Sequence, residues 1–227
     1  MISTVPLFPL STVLMPGASL PLHIFEPRYR QLTIDLVTGA VPDRQFGVVA
    51  LREGFSPDQD GLGGLHAVGC TAELREAQRL PDGRFDIITR GVRRFRLVDL
   101  HVDTAPYLVG SVSWLPDTED DETSVHHLAF LAGTARAAHR RYCSTAWQGE
   151  EWDEPAKDIP PAVLPHLLAA DCLLPIVCRQ KLLEQTCATE RLRMVRRMLI
   201  RETALLGELN AVPAPITSYA VERSSSN

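Results

Sequence analysis

The chain has 227 residues, 45% of them hydrophobic and 22% charged, with a formal net charge of −5. That is the composition of a soluble globular protein, with length for one large domain or two small ones and a real core. The acidic balance excludes nucleic acid as the bulk partner and leaves only a local basic patch as a route to it.

Residues 5–10 form an apolar run broken by Pro6 and Pro9. Proline cannot donate to a sheet ladder, so this run reads as the first strand of a barrel, at an edge or interrupted at a bulge. Such an apolar, proline-punctuated edge is also a place where another chain can be received. Val13 to Met15 is a second run, stopped by a Pro16-Gly17 turn. In the third, Leu20, Leu22 and Ile24 alternate as in a strand, and His23 points the other way. Glu26-Pro27 then opens a helix. Proline suits its first turn, where no N–H is needed, and Gly39 supplies a C-cap.

From 45 to 115 the pattern is that of strands. Phe46, Val48, Val49 and Leu51 form one run, and 52–64 is a Gly-, Pro- and Asp-rich loop. Val68, Cys70, Ala72 and Leu74 alternate with polar or small residues. Pro81-Asp82-Gly83 turns the chain into a hairpin, and Gly91 marks a bulge or corner in the returning strand. Tyr107 to Leu115 is one more strand. Short strands in this number, with one early helix, give a small closed or nearly closed β-barrel.

Residues 117–122, DTEDDE, read as a solvated linker whose acids favour the helix that follows. Contiguous acids point apart and show no calcium-loop spacing, so a metal site is not expected there. Helical periodicity begins at 123, with Val125, Leu128, Ala135, Ala138 and Tyr142 in phase. After an acidic, proline-rich stretch at 148–161 it returns at 162–174, 175–186 and 188–209. Leu192, Val195, Leu199 and Leu206 share one side of the last helix, opposite Arg193, Arg196, Arg197 and Arg201. Four such segments make a helical bundle. The expected division is a barrel over 1–116, a bundle over 117–209 and a fraying tail over 210–227.

No phosphate-cradling G-x-x-x-x-G-K-[ST] occurs and no G-x-S-x-G elbow. The seven histidines form no H-E-x-x-H or Cys/His zinc spacing. Five cysteines, an odd number without C-x-x-C, read as reduced thiols of a cytosolic protein, most of them small core residues. The chain shows no membrane span of roughly 18–20 apolar residues and no secretory leader. The expectation is therefore a cytoplasmic protein with no membrane partner, no cofactor, no metal and no catalytic residue.

The run PLFPL…VL.PG..LPLHIFE.RYR, within residues 5–30, resembles the N-terminal domain of the Lon ATP-dependent proteases, and in particular the stand-alone bacterial proteins that carry that domain alone. FGVVAL at 46–51, VGCTAEL at 68–74 and LPDGRFDIITRGVRRFRL at 80–97 continue the likeness more loosely. The resemblance implies an α+β fold: a PUA-like β-barrel with a packed helix, followed by a helical half. It also implies a non-enzymatic module that binds exposed apolar or unfolded polypeptide, or acts as an adaptor in protein quality control. An apolar groove at the barrel–helix junction and a strand edge open to main-chain pairing would be its physical means. The candidate contacts are Val5, Leu7, Phe8, Leu10, Met15, His23, Phe25, Arg28 and Tyr29. The alternative is RNA binding, as in other PUA-like barrels, through Arg93, Arg94, Arg96, Arg193 and Arg197. Arg94 and Arg96 share one face of their strand in that reading, with Phe95 and Leu97 on the other.

Overall fold

The computed structural model describes residues 2–55, 60–102, 104–118, 125–147 and 152–209. Six strands form one sheet: β1 (Ile2–Leu10), β2 (Ser19–Ile24), β3 (Gln45–Ala50), β4 (Val68–Arg79), β5 (Phe85–His101) and β6 (Val109–Trp114), in the order β2-β5-β4-β3-β1-β6. Strand β6 pairs with both β1 and β5, so the circuit β5-β4-β3-β1-β6 returns to its start while β2 hangs outside on β5. Helix α1 (Pro27–Thr38) follows β2, with Pro27 in its first turn and Gly39 as a left-handed C-cap at φ 81°. Four helices follow the sheet: α2 (Val125–Ala146), α3 (Leu164–Ala170), α4 (Ile176–Glu184) and α5 (Ala188–Leu209). The fold is α+β, and the helical spans at 123–147 and 188–209 lie where the 3.6-residue period put them. The tail at 210–227 and most of the acidic run at 117–122 lie outside the described residues.

One strand departs from the sequence reading. Strand β1 is neither an edge nor interrupted by a bulge; it lies between two partners. Residues 2–6 pair antiparallel with β6, and residues 7–10 pair parallel with β3. The Leu7 N–H bonds the Leu108 carbonyl and the Leu10 carbonyl receives the Leu51 N–H, so odd residues present their main-chain groups to the β6 flank and even ones to the β3 flank. The N–H that Pro6 lacks would face the β3 side before that ladder begins. The N–H that Pro9 lacks would face the β6 side after that ladder has ended. Each proline thus occupies the flank that is an edge over its own half of the strand. Among the described residues the strand with one partner only is β2.

The closed sheet is filled by Leu7, Val49, Leu65, Phe95, Leu97, Leu108 and Val112. Gly47, Gly69 and Gly110 line this interior, and a Cβ on any of them would meet Leu7, Leu97 or the Phe95 ring within 3.0 Å. The outer face of β3 and β4 packs Phe46, Val48, Cys70 and Ala72 into a second core shared with α1 and the helical half. There Phe8 stacks on Tyr29 at 3.9 Å between ring centres, and the Tyr107 hydroxyl donates to Asp35 at 2.8 Å, tying α1 to the sheet. Burial, then the bond to Asp35, pushes the Tyr107 phenol up to about 12. The β4–β5 register shifts at Gly91, the bulge its glycine announces. The close approach there leaves no room for a side chain, because a Cβ would lie 2.1 Å from the Met15 carbonyl oxygen. Gly17 N–H to Gly91 O and Gly91 N–H to Ala18 O, at 2.7 and 2.8 Å, seal the contact.

The helical half docks onto the sheet through two buried arginines. Arg94 of β5 donates to the Leu183 and Gln185 carbonyls at the end of α4 and to Asp117. Arg191 of α5, fully buried, donates to both Asp117 oxygens, to the Gln185 and Thr186 carbonyls and to Ala162 O. The free carbonyls at a helix end thereby gain charged donors. Gln180 adds a bond to the Val68 carbonyl of β4 at 3.0 Å.

Candidate functional site

An opening beside β1 follows from its change of partner. Because β3 starts at Gln45, opposite Val5, no strand among the described residues lies on the β3 flank of residues 2–4. The chain leaves that flank through a turn at Pro42–Arg44, where Asp43 and Arg44 take φ of 58° and 52°. Both values are in the left-handed region that a non-glycine residue seldom adopts. The result is a cleft of about 450 Å³ at one open end of the closed sheet. Ser3 to Pro6 form one wall, Val41 to Asp43 and Gln45 another, and Thr71, Val92, Arg93 and Trp114 the floor and far side. By the alternation above, the Thr4 N–H and C=O face this cleft. Arg93 lays its guanidinium 4.1 Å above the Trp114 ring, and its backbone N–H donates to Thr71 Oγ1 at 3.2 Å. Among the described residues Arg93 has no acidic partner within ion-pair distance. The cleft therefore offers main-chain donor and acceptor, an aromatic face and one cation.

The sequence candidates do not come together around it. Val5 lines the cleft. Leu7, Phe8, Met15 and Tyr29 are buried and serve the two cores; Leu10 is half-buried against them. His23 and Phe25 stand on the outer strand β2 and just after it, with ring centres 6.4 Å apart. Phe25 is 61% exposed, and His23 bonds Asp86 at 2.6 Å. Pro21, Leu22 and His23 border a second shallow cleft of about 420 Å³ with Ala77, Asp86 and Ile88. Arg28 bonds Glu26 at 3.0 Å and covers the Tyr29 ring.

The basic candidates fare differently again. Arg94 is not on an open basic face with Arg96: it is 5% exposed, since the helical half covers that side of β5. Asp117, read as part of a solvated linker, is its counter-ion and that of Arg191. Arg193 pairs with Glu190 at 2.5 Å, while Arg93, Arg96 and Arg197 are exposed. Sequence reasoning missed Trp114, Asp117 and Arg191. Arg191 had a signal, since it sits four residues before Val195 and so in phase with the apolar side of its helix. Trp114 had none, for its partner Arg93 lies on another strand.

Among the described residues no group of three or more His, Cys, Asp or Glu side chains converges as metal ligands, and no helix is long and apolar enough to cross a membrane.

The comparisons with known proteins agree with this architecture. The family model of the ATP-dependent protease La (LON) substrate-binding domain matches residues 4–201. Lon protease 2 of Myxococcus xanthus is 30% identical over 215 residues, covering 93% of this chain and 25% of that protein. Lon protease of Escherichia coli K12 is 26% identical over 216 residues, covering 89% and 25%. The chain thus spans about a quarter of the length of these relatives, and the match includes no protease catalytic domain. Among solved structures, a Lon N-terminal domain protein from Xanthomonas campestris aligns with a TM-score of 0.59 at 28% identity, over 85% of this chain and 96% of that one. The N-terminal domain of a Mycobacterium avium complex Lon protease aligns with 0.64 at 18%, over 87% and 98%, a likeness of fold. With its sheet, its helices and residues 4–201 all matched, the chain belongs to the Lon substrate-binding domain family.

Proposed function

We propose that this chain is a non-catalytic recognition module that binds exposed, extended polypeptide at the cleft beside β1. In this reading the closed sheet is a PUA-like barrel, the four C-terminal helices are its supporting bundle, and the protein acts in the cytoplasm as an adaptor in protein quality control. The observation that carries it is the open β3 flank of β1, where Thr4 presents an N–H and a C=O next to Val5, Val92 and Trp114. An extended segment adding there gains main-chain bonds, with apolar and aromatic contacts for alternate side chains. Of the nine candidate contacts, Val5 belongs to this surface directly, and His23 and Phe25 offer a second place for longer segments, while Arg28 bonds Glu26 and Leu10 packs half-buried against the core. Leu7, Phe8, Met15 and Tyr29 support it from the core. The RNA reading loses its continuous surface, since Arg94 is buried and Arg193 is paired.

The test is binding of a fluorescent, permanently unfolded polypeptide at low and high salt, with a labelled single-stranded RNA in parallel. Peptide binding that persists in high salt, and that weakens in Thr4→Pro and Trp114→Ala, supports the proposal. Thr4→Pro removes a donor facing the cleft and leaves the donors of the β6 ladder in place, because that ladder uses the odd residues. RNA binding that collapses with salt, with no peptide bound, would overturn it.

A further inference from the structure

The cleft beside β1 holds a cation that main-chain pairing alone does not use. Between the pairs Cys70–Arg94 and Ala72–Gly91, Thr71 of β4 faces two residues of β5, Val92 and Arg93. That is a β-bulge, which re-aims a side chain out of the regular alternation. The buried Thr71 hydroxyl clamps it from both sides, accepting the Arg93 N–H at 3.2 Å and donating to the Arg93 carbonyl at 3.4 Å. From this fixed backbone the guanidinium lies over the Trp114 ring, 4.1 Å from its centre. Stacking occupies the flat face of the fork and leaves its N–H edge for an acceptor. Among the described residues no carboxylate is within ion-pair distance of Arg93, and that includes Asp43 on another wall of the same cleft.

The strand geometry decides what can reach that edge. Leu7 belongs to the interior cluster of the closed sheet, and Val5 and Trp114 pack against it, so the odd residues of β1 face inward. In the circuit β5-β4-β3-β1-β6, the gap between β3 and β1 lies across the open end from β5, the strand of Arg93. An extended segment paired with Thr4 in that gap places its residues on either side of the Thr4 partner on the inward face. Their side chains point over the open end toward Arg93 and Trp114. The main chain of the segment, with any chain end, stays in the wall beside β1.

We propose that the polypeptide this cleft takes carries an acidic side chain at an inward-facing position, and that Arg93 is the residue that selects it. The inference rests on the reading of the cleft as a peptide site and adds the class of peptide. A carboxylate matches the guanidinium fork and accepts from its free edge, whereas an amide of the same shape gains no charge and a lysine is repelled. Asp43 acts against the carboxylate from its own wall, so its charge sets how strong the selection is.

The experiment measures binding of the full chain to short fluorescein-labelled peptides by polarisation. The peptides share an unfolded Ser/Thr/Val sequence with an amidated C-terminus and differ at one central position, which is Glu, Gln or Lys. Wild type should bind the Glu peptide about fivefold more tightly than the Gln peptide at low salt, with the Lys peptide weakest. The Glu advantage should shrink in high salt. Arg93→Gln should abolish it. Asp43→Asn, which keeps a residue suited to φ 58°, should widen it. Equal binding of the Glu and Gln peptides by wild type would overturn this inference and leave the peptide-site reading standing, whereas binding of none of the three would overturn both. An advantage that survives Arg93→Gln overturns the inference too. So does one that a free C-terminal carboxylate on the Gln peptide reproduces, or a single-stranded RNA that displaces the Glu peptide better than its unlabelled form does. If Arg93→Gln fails to fold, the wild-type series and Asp43→Asn still decide.

Discussion

The sheet half and the helical half are held by opposite means. Inside the closed sheet the packed cluster is apolar, and shape does the work: Phe95 and Leu7 fit only because Gly47, Gly69 and Gly110 stand aside. At the seam with the helices, two guanidiniums share one carboxylate and a set of helix-end carbonyls. Apolar fit tolerates compensated exchange. A buried charge network does not, because any member removed leaves others without partners.

The sharpest way to break that contrast is at the seam. Arg191→Ala should destabilise the chain by about 3–5 kcal/mol in denaturant unfolding, since Asp117 loses its bidentate partner and three carbonyls lose a donor. A loss under 1 kcal/mol would show that water replaces the network. Inside the sheet, Gly47→Ala should cost about 1–3 kcal/mol, because its Cβ would lie 2.8 Å from Leu7 and 2.9 Å from Phe95. Phe95→Leu in the same chain should return part of that cost. Gly91→Ala should have no such rescue, as its clash is with the Met15 carbonyl. A double-mutant cycle on each glycine separates the two cases.

Acid should act on the seam before the sheet. Burial, then Arg191 and Arg94, hold the His166 pKa well below its ordinary value. The fold keeps this ring neutral, whereas the unfolded chain protonates it below about pH 6.5. Its contribution is therefore complete above that pH and is lost as pH falls through it toward the native value, by up to about 1.4 kcal/mol per pH unit. Comparing wild type with His166→Asn from pH 7 to about 5 should show the variant's slope to be shallower by up to one proton. The smallest effect belongs to the surface: Glu154→Ala, which breaks a pair with Arg140 at 2.9 Å, should change stability by about 0.5 kcal/mol or less.

The elements were legible because their signals are local. Pro27 and Gly39 bracket α1, Pro81-Asp82-Gly83 makes its hairpin, and Gly91 marks its bulge. What escaped is set by pairings across long stretches of chain. The prolines of β1 were read as an edge over the whole strand, when each is an edge on one flank for half of it. Arg94 was given to the surface because alternation tells which face a residue takes but not what covers that face. The cleft needs residues from five strands and a turn, so the sequence singles out only Val5 of its lining for peptide and Arg93 for RNA, without bringing the two together.

The double allegiance of β1 also sets an order of events during synthesis. Its parallel partner is complete once residue 50 is made, but its antiparallel partner begins only at Val109. At roughly 5–20 residues per second, the first strand waits about 3–12 s on the ribosome with its β6 flank bare. Closing a loop of that length is slow in itself. Pro9 removes a donor from that flank where β6 never reaches it, so a neighbouring chain finds a poor template there before and after the sheet closes. What looks like a defect in the strand keeps its uncovered end from being extended.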